Sequence, residues 1–278
     1  MSDTVKPRNR TFLKTEIVLL ICVILVWVGK LVTVDIDSTK SAVFRQLVKI
    51  RPNDAHAHKL LGDAYSDLYA YGRAIGAYKE AIRIDPNDSE AYRNLASLYL
   101  SLFHYEDAID FSRKAVGINP SDADAHYLLG RAYRWLGRDK EAVESFKEAV
   151  RLNPKHFDAQ CSLAGCYRTL GQYKDSIDAT KKAIEIKPDC AFEYLCLGDD
   201  YFELGRYEEA IQTYNQFLEI DIEPDMTDPA YVHYAEVHLQ LGKAYLKTDD
   251  KDLALEQYEI LKTLDEELAN ELYDLIQE

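Results

Sequence analysis

Past residue 40, apolar and polar positions alternate with helical spacing, and the spacing itself recurs. Leu61, Leu95, Leu129, Leu163, Leu197 and Leu241 each stand four residues before a tyrosine: Tyr65, Tyr99, Tyr133, Tyr167, Tyr201 and Tyr245. Residues four apart share one face of an α-helix, so each Leu–Tyr pair predicts the buried stripe of one helix. Successive pairs are 34 residues apart, except for a ten-residue insertion before the last. Pro52, Pro86, Pro120, Pro154 and Pro188 keep the same step and predict the ends of a second set of helices, because proline removes a donor and restricts its predecessor. A period of this length fits helix–turn–helix units stacked into a solenoid.

Small residues recur where the paired helices must approach. Gly62, Ala96, Gly130, Ala164, Gly198 and Gly242 follow the leucines, and Ala81, Ala115, Ala149 and Ala183 recur on the second helices. Ser145, on the helix of Ala149, is expected on an exposed face. Asp54, Asp88 and Asp122, two residues after their prolines, are placed to cap the next first helix. Most of the twenty tyrosines, Tyr71, Tyr105, Tyr173, Tyr207, Tyr78 and Tyr214 among them, also fall on repeating positions, so their abundance is structural.

The run Leu61-Gly62, Tyr65, Ala74, Tyr78, Ala81, Pro86 and its counterpart Leu129-Gly130, Tyr133, Ala142, Phe146, Ala149, Pro154 resemble the tetratricopeptide repeat (TPR) family. The resemblance covers about residues 41–264. It implies an all-α, right-handed α-solenoid of about six helix hairpins: a half-repeat at 41–54, repeats at 55–88, 89–122, 123–156, 157–190, 191–224 and 229–264, and a capping helix at 265–278. Several positions depart from the pattern. Ser176 and Thr180 replace an Ala and an aromatic, Phe217 replaces a small Ala, and Pro224 comes two residues late. Thr227-Asp228-Pro229 predicts a helix start, making the next first helix about two turns longer than its counterparts. In the final segment Leu264, Leu268, Leu272 and Leu275 form one stripe, as a helix covering the end of a solenoid requires.

The N-terminus reads differently. Residues 1–14 are a short basic tail with Lys6, Arg8, Arg10 and Lys14, and Ile17–Val28 has no charged residue. Extending that run to Val34 gives roughly 27 Å of helix if Lys30 snorkels, close to the hydrocarbon thickness of a bilayer. No small-x-small cleavage pair follows it. The expectation is a transmembrane signal-anchor helix at 15–34 and a linker at 35–40. The basic flank places the tail in the cytoplasm and the repeats outside it, periplasmic or luminal. A secreted protein after signal cleavage is the alternative.

Charge and chemistry narrow the function. The net charge is −15 and the pI about 4.9, which excludes a general nucleic-acid binder. Phosphate loops, nucleophile elbows and metal-ligand spacings are absent from the sequence, so neither an enzyme nor a cofactor is expected. The five cysteines do not form a disulfide framework. Cys161 and Cys196 fall at similar heights on adjacent first helices, either as a pair or as small buried thiols.

In the family the first helices line a concave groove. Here that resemblance places Arg93, Tyr127, Arg131, Arg134, Trp135 and Arg168 on a basic strip. Phe192, Leu195, Phe202, Leu239 and Leu246 fall on an apolar one. The arginines are either free to receive carboxylates or paired with Glu90, Asp124 and Asp158; the apolar strip is either open or covered by the terminal helix. The family's clamp for C-terminal carboxylates is incomplete. Lys59 and Arg131 match its basic positions, but Asp63 and Ser97 stand for Asn and Tyr127 for Lys. The expected protein is therefore a membrane-tethered interaction scaffold or adaptor whose ligand is a protein or peptide with acidic and apolar residues. It attaches to the membrane through its N-terminal helix, with self-association possible. The alternative is a non-catalytic accessory subunit of an envelope enzyme or assembly complex.

Overall fold

The computed structural model describes residues 36–220 and 229–278, with side chains at 39–220 and 233–278. The basic tail, the apolar run at 15–34 and the insertion residues 221–228 lie outside the described residues. The chain divides between Ala132 and Tyr133 into two compact units. Fourteen helices and no strand occur among the described residues.

The first unit holds α1 (Ile36–Ile50), α2 (Ala55–Asp67), α3 (Tyr71–Ile84), α4 (Ser89–Ser101), α5 (Tyr105–Ile118) and most of α6 (Ala123–Trp135). Helices α2 and α3 pair as one hairpin and α4 and α5 as the next, with α1 packed on α2. The expected linker at 35–40 is corrected: α1 begins at Ile36. No Gly or Pro interrupts residues 36–50, and Val43, Leu47 and Ile50 continue a helical period through the polar stretch.

The second unit takes the end of α6, then α7 (Asp139–Leu152), α8 (Phe157–Thr169), α9 (Tyr173–Ile186), α10 (Ala191–Glu203), α11 (Tyr207–Glu219), α12 (Pro229–Lys247), α13 (Lys251–Leu264) and α14 (Glu266–Gln277). The pairs α8–α9, α10–α11 and α12–α13 form hairpins, and α14 packs on both α12 and α13. Helix α12 has 19 residues where α10 has 13.

Helix starts follow the caps. Asp54, Asp88 and Asp122 accept hydrogen bonds from the backbone N–H of Ala57, Ala91 and Ala125 at 3.2, 3.0 and 3.1 Å. His156 Nδ1 takes the same role for α8, Asp250 for α13 and Asp265 for α14. Each satisfies a first-turn donor with no intrahelical partner, worth about 1 kcal/mol. Within the hairpins the turns need a left-handed residue. Gly137, Gly171 and Gly205 supply it, but Tyr69, Phe103 and Asp249 hold φ of 55°, 62° and 64° at the corresponding places.

Packing explains the small residues. A Cβ on Gly62 would lie 2.5 Å from the Tyr78 ring, one on Gly198 would overlap the Tyr214 ring, and one on Gly242 would lie 2.5 Å from Leu272. Leu61, Leu95, Leu163, Leu197 and Leu241 are buried, each contributing roughly 1.5–3 kcal/mol of apolar transfer. Two expectations are corrected here. Ser145 is buried, its hydroxyl donating to the Glu141 carbonyl at 2.9 Å. In α14 the buried stripe is Ala269, Leu272 and Ile276, while Leu275 is exposed; the face turned inward is the one that places Leu272 over Gly242.

Candidate functional site

In the first unit the basic positions are largely engaged. Lys59 Nζ donates to Glu90 at 2.6 Å and lies 3.1 Å from Asp88. One repeat later Arg93 contacts Asp122 at 3.0 Å, Asp124 at 3.6 Å and Glu90 at 3.8 Å. Both cations therefore reach the aspartate that caps the next first helix, so Asp88 and Asp122 each cap a helix N-terminus and bind a cation. Asp63 accepts from the Tyr78 hydroxyl at 2.7 Å and from Asn94 at 3.0 Å. Burial raises its carboxyl above the ordinary range, and those two hydrogen bonds oppose the rise. A clamp for carboxylates cannot form where Lys59 is already occupied and Asp63 adds a negative charge. The Arg131 guanidinium lies 5.6 Å from the centre of the Tyr127 ring, and no ion pair holds it among the described residues.

In the second unit Arg134 also forms no ion pair among the described residues, and its guanidinium lies against Gly165. Trp135 is 61% exposed. Arg168 differs: its Nε donates to Asp200 at 2.8 Å and its terminal nitrogen to the Cys196 carbonyl at 3.0 Å. Ser176 donates to the other Asp200 oxygen at 2.5 Å. Asp200 is wholly buried, and desolvation raises its carboxyl despite these donors. Ser176, a departure from the repeat pattern, is thus the third member of a buried polar network. Of the two readings, free or paired, the paired one describes Arg93, which meets Glu90 and Asp124 and also Asp122, and Arg168, whose partner is Asp200 of the following repeat rather than Asp158.

The apolar residues divide as well. Leu195 and Leu239 are 3% and 4% exposed and belong to the core rather than to a groove surface. Phe192 is 49% exposed, its ring 5.3 Å from that of His233. Phe202 and Leu246 line a cleft of about 500 Å³ together with Leu275. Its rim carries Lys243, Lys247 and Lys251 as well as Asp249 and Glu278. Lys243 is tied to Glu271 at 2.7 Å; Lys247 and Lys251 have no ion pair among the described residues. An apolar floor beside Lys247 and Lys251, which share the rim with Asp249 and Glu278, suits an apolar side chain followed by a carboxylate. The lysines were outside the expected groove set. Their signal is the run Lys243, Lys247, Lys251 at four-residue spacing across a helix end in an acidic chain.

Asp199 accepts from the Tyr214 hydroxyl at 2.8 Å, repeating the Asp63–Tyr78 contact. The two repeats with Gly-Asp in the first helix are those with Tyr packed on that glycine, so the carboxylate receives the hydroxyl the packing brings in. The thiols of Cys161, Cys166, Cys190 and Cys196 are free. Among the described residues no helix is long and apolar enough to cross a membrane.

Sequence models described as tetratricopeptide repeat match residues 89–122, 123–156 and 195–268, and one described as TPR repeat matches 70–102. A model described as anaphase-promoting complex, cyclosome, subunit 3 matches 146–217. No curated protein matches the chain. Among solved structures, MamA is 30% identical, covering 58% of this chain and 94% of its own with a TM-score of 0.56. YrrB, described as a TPR protein with an unusual peptide-binding site, is 22% identical over 69% of this chain and 97% of its own, TM-score 0.59. A tetratricopeptide repeat protein from Parabacteroides merdae is 19% identical over 97% and 100%, TM-score 0.60. At their identities the last two show the fold alone.

Proposed function

Since this chain belongs to the tetratricopeptide repeat family, we propose that it is a non-catalytic interaction scaffold that holds a protein or peptide ligand carrying apolar and acidic residues. The observation that carries this reading is the cleft in the second unit, where Phe202, Leu246 and Leu275 lie beside Lys247 and Lys251, which have no ion pair among the described residues. An apolar ligand side chain gains burial on that floor, and its neighbouring carboxylate gains charge-assisted hydrogen bonds from the lysines. Arg131 in the first unit and Arg134 in the second, each without an ion pair among the described residues, are cationic positions for acidic residues of a ligand bound on their own unit. Arg93 and Arg168 hold the scaffold rather than the ligand. The N-terminal run supports a membrane tether with the repeats on the extracytoplasmic side, since residues 17–34 are long and apolar enough and their basic flank precedes them.

Co-purification from solubilised membranes tests the scaffold reading. A partner retained by the wild type should be lost with Lys247→Glu/Lys251→Glu and weakened by Phe202→Ala, while Arg131→Glu/Arg134→Glu should lower affinity most at low salt. A partner that survives all three variants equally refutes it. For the tether, full-length protein should stay in the alkaline-washed membrane pellet. A mature N-terminus near residue 30 in intact-mass analysis would instead give the secreted form.

A further inference from the structure

A second cleft lies elsewhere in the second unit, between the C-terminal ends of α7 and α9, with the first turn of α8 at its base. It has a volume of about 650 Å³. Four cationic side chains line it: Lys147 and Arg151 from α7, Lys155 from the loop that follows, and Lys182 from α9. The one acidic residue in its lining is Glu185. This is a concentrated basic surface on a chain of net charge −15.

The cations are not all used up internally. Lys155 and Lys182 form no ion pair among the described residues. Lys147 meets Glu144 at 3.1 Å and Arg151 meets Glu148 at 2.6 Å. Both are exposed pairs three residues apart on one helix: Lys147 also lies 5.8 Å from the Tyr167 ring centre and its ion pair contributes little, while Arg151 holds Glu148 through two hydrogen bonds at 2.8 and 2.6 Å. Val150, Pro154 and Ile186 supply an apolar lining between them.

Gln160 is the independent observation. It lines the cleft and is only 3% exposed, yet its side-chain amide has no hydrogen-bond partner among the described residues. Its amide atoms keep contact with solvent in the cleft, so a ligand that supplies an acceptor and a donor takes the place of water there. Peptide backbone offers both.

We propose that this cleft is a second docking site, distinct from the one at Phe202 and Leu246, for an acidic protein segment that carries an apolar side chain. The segment's carboxylates meet Lys155, Lys182 and Lys147. Its apolar side chain rests on Val150, Pro154 and Ile186, and its backbone bonds the Gln160 amide. Two such sites in one unit would let the scaffold hold two partners, or two segments of one.

The test uses the full-length protein in mild detergent and a defined probe, N-acetyl-Glu-Glu-photoleucine-Glu-Glu-amide, cross-linked by light and mapped by mass spectrometry. Cross-links within residues 147–160 or 182–186 are expected. Lys155→Glu/Lys182→Glu should lower them at least tenfold, and Gln160→Leu severalfold. Lys247→Glu/Lys251→Glu should leave them unchanged, which separates this site from the first. Absence of cross-links in these segments overturns the proposal, as does labelling indifferent to the Lys155/Lys182 reversal. So does a Lys155/Lys182-dependent attachment to phosphatidylglycerol vesicles with no peptide labelling, because the occupant would then be an anionic bilayer.

Discussion

Replacing Tyr214 by Phe deletes one hydroxyl and almost no packing, and its cost should depend on pH. The Tyr214 ring rests on Gly198 and its hydroxyl donates to Asp199 at 2.8 Å. Burial pushes the Asp199 carboxyl up to about 6 from an ordinary 3.8, even though the tyrosine's hydrogen bond pulls it down. A carboxyl that holds its proton more tightly when folded stabilises the protein most below its unfolded pKa, and that contribution is lost as pH rises through about 6. The gap between the two values corresponds to roughly 3 kcal/mol. At pH 7.5 Asp199 is ionised, so Tyr214→Phe removes a hydrogen bond to a charged group and should cost about 1.5–3 kcal/mol. At pH 5 the carboxyl is mostly protonated and the loss should fall to about 0.5–1.5 kcal/mol. His238 acts in the opposite sense. Burial lowers its pKa from the ordinary 6.5, so the folded state resists its protonation and stability falls as pH drops below that value. Asp199→Asn isolates the Asp199 contribution, because it removes that slope and leaves those of His238 and of the other raised carboxyls, Asp63, Asp200 and Glu193. Urea unfolding of the full chain in detergent, followed by far-ultraviolet circular dichroism at pH 5.0 and 7.5, reads all three proteins. An equal cost of Tyr214→Phe at both pH values, or a pH slope unchanged by Asp199→Asn, would refute the reasoning.

Tyr69→Gly and Phe103→Gly should each stabilise the first unit by about 0.5–1 kcal/mol and raise its unfolding midpoint, because glycine relieves the left-handed strain at a modest entropic cost; lower midpoints would mean that these exposed aromatics are held by contacts worth more than the strain. Ala149 is fully buried, so Ala149→Leu should overpack by about 1–3 kcal/mol, whereas Glu144→Leu on the 75% exposed face should stay within about 0.5 kcal/mol. Equal shifts in thermal melts would put the repeat register in error. Thr180 is fully buried with a hydroxyl that has no partner among the described residues, so the isosteric Thr180→Val should stabilise by about 1 kcal/mol in the same melts, and destabilisation would reveal a bound water or partner.

Local rules made much of the fold legible. The aspartates two residues after Pro52, Pro86 and Pro120 cap as their chemistry dictates, and the glycines at 62, 198 and 242 mark real close approaches. What escaped were relations between repeats and the exact rotation of a helix. Arg93 meets Asp122 and Arg168 meets Asp200, partners 29 and 32 residues away, so no spacing within one repeat announces them. Leu195 and Leu239 lie at the border between the core stripe and the groove face, where one side-chain direction decides burial. Ser145 shows the same ambiguity on a second helix: a small polar residue reads as exposed until its hydroxyl finds the carbonyl four residues back. Ser176 looked like a weak repeat position because its purpose, a hydrogen bond to Asp200, lies in the next hairpin.

Hydrogen–deuterium exchange of the full chain, with and without the partner that co-purifies from membranes, tests the central claim most directly. The account predicts slowed exchange on binding at the end of α10, along Lys243–Lys251 and at the end of α14, the segments that frame the Phe202–Leu246 cleft. Protection there should vanish in Lys247→Glu/Lys251→Glu. A partner that binds with full affinity while leaving all three segments exchanging as in the free protein would contradict it.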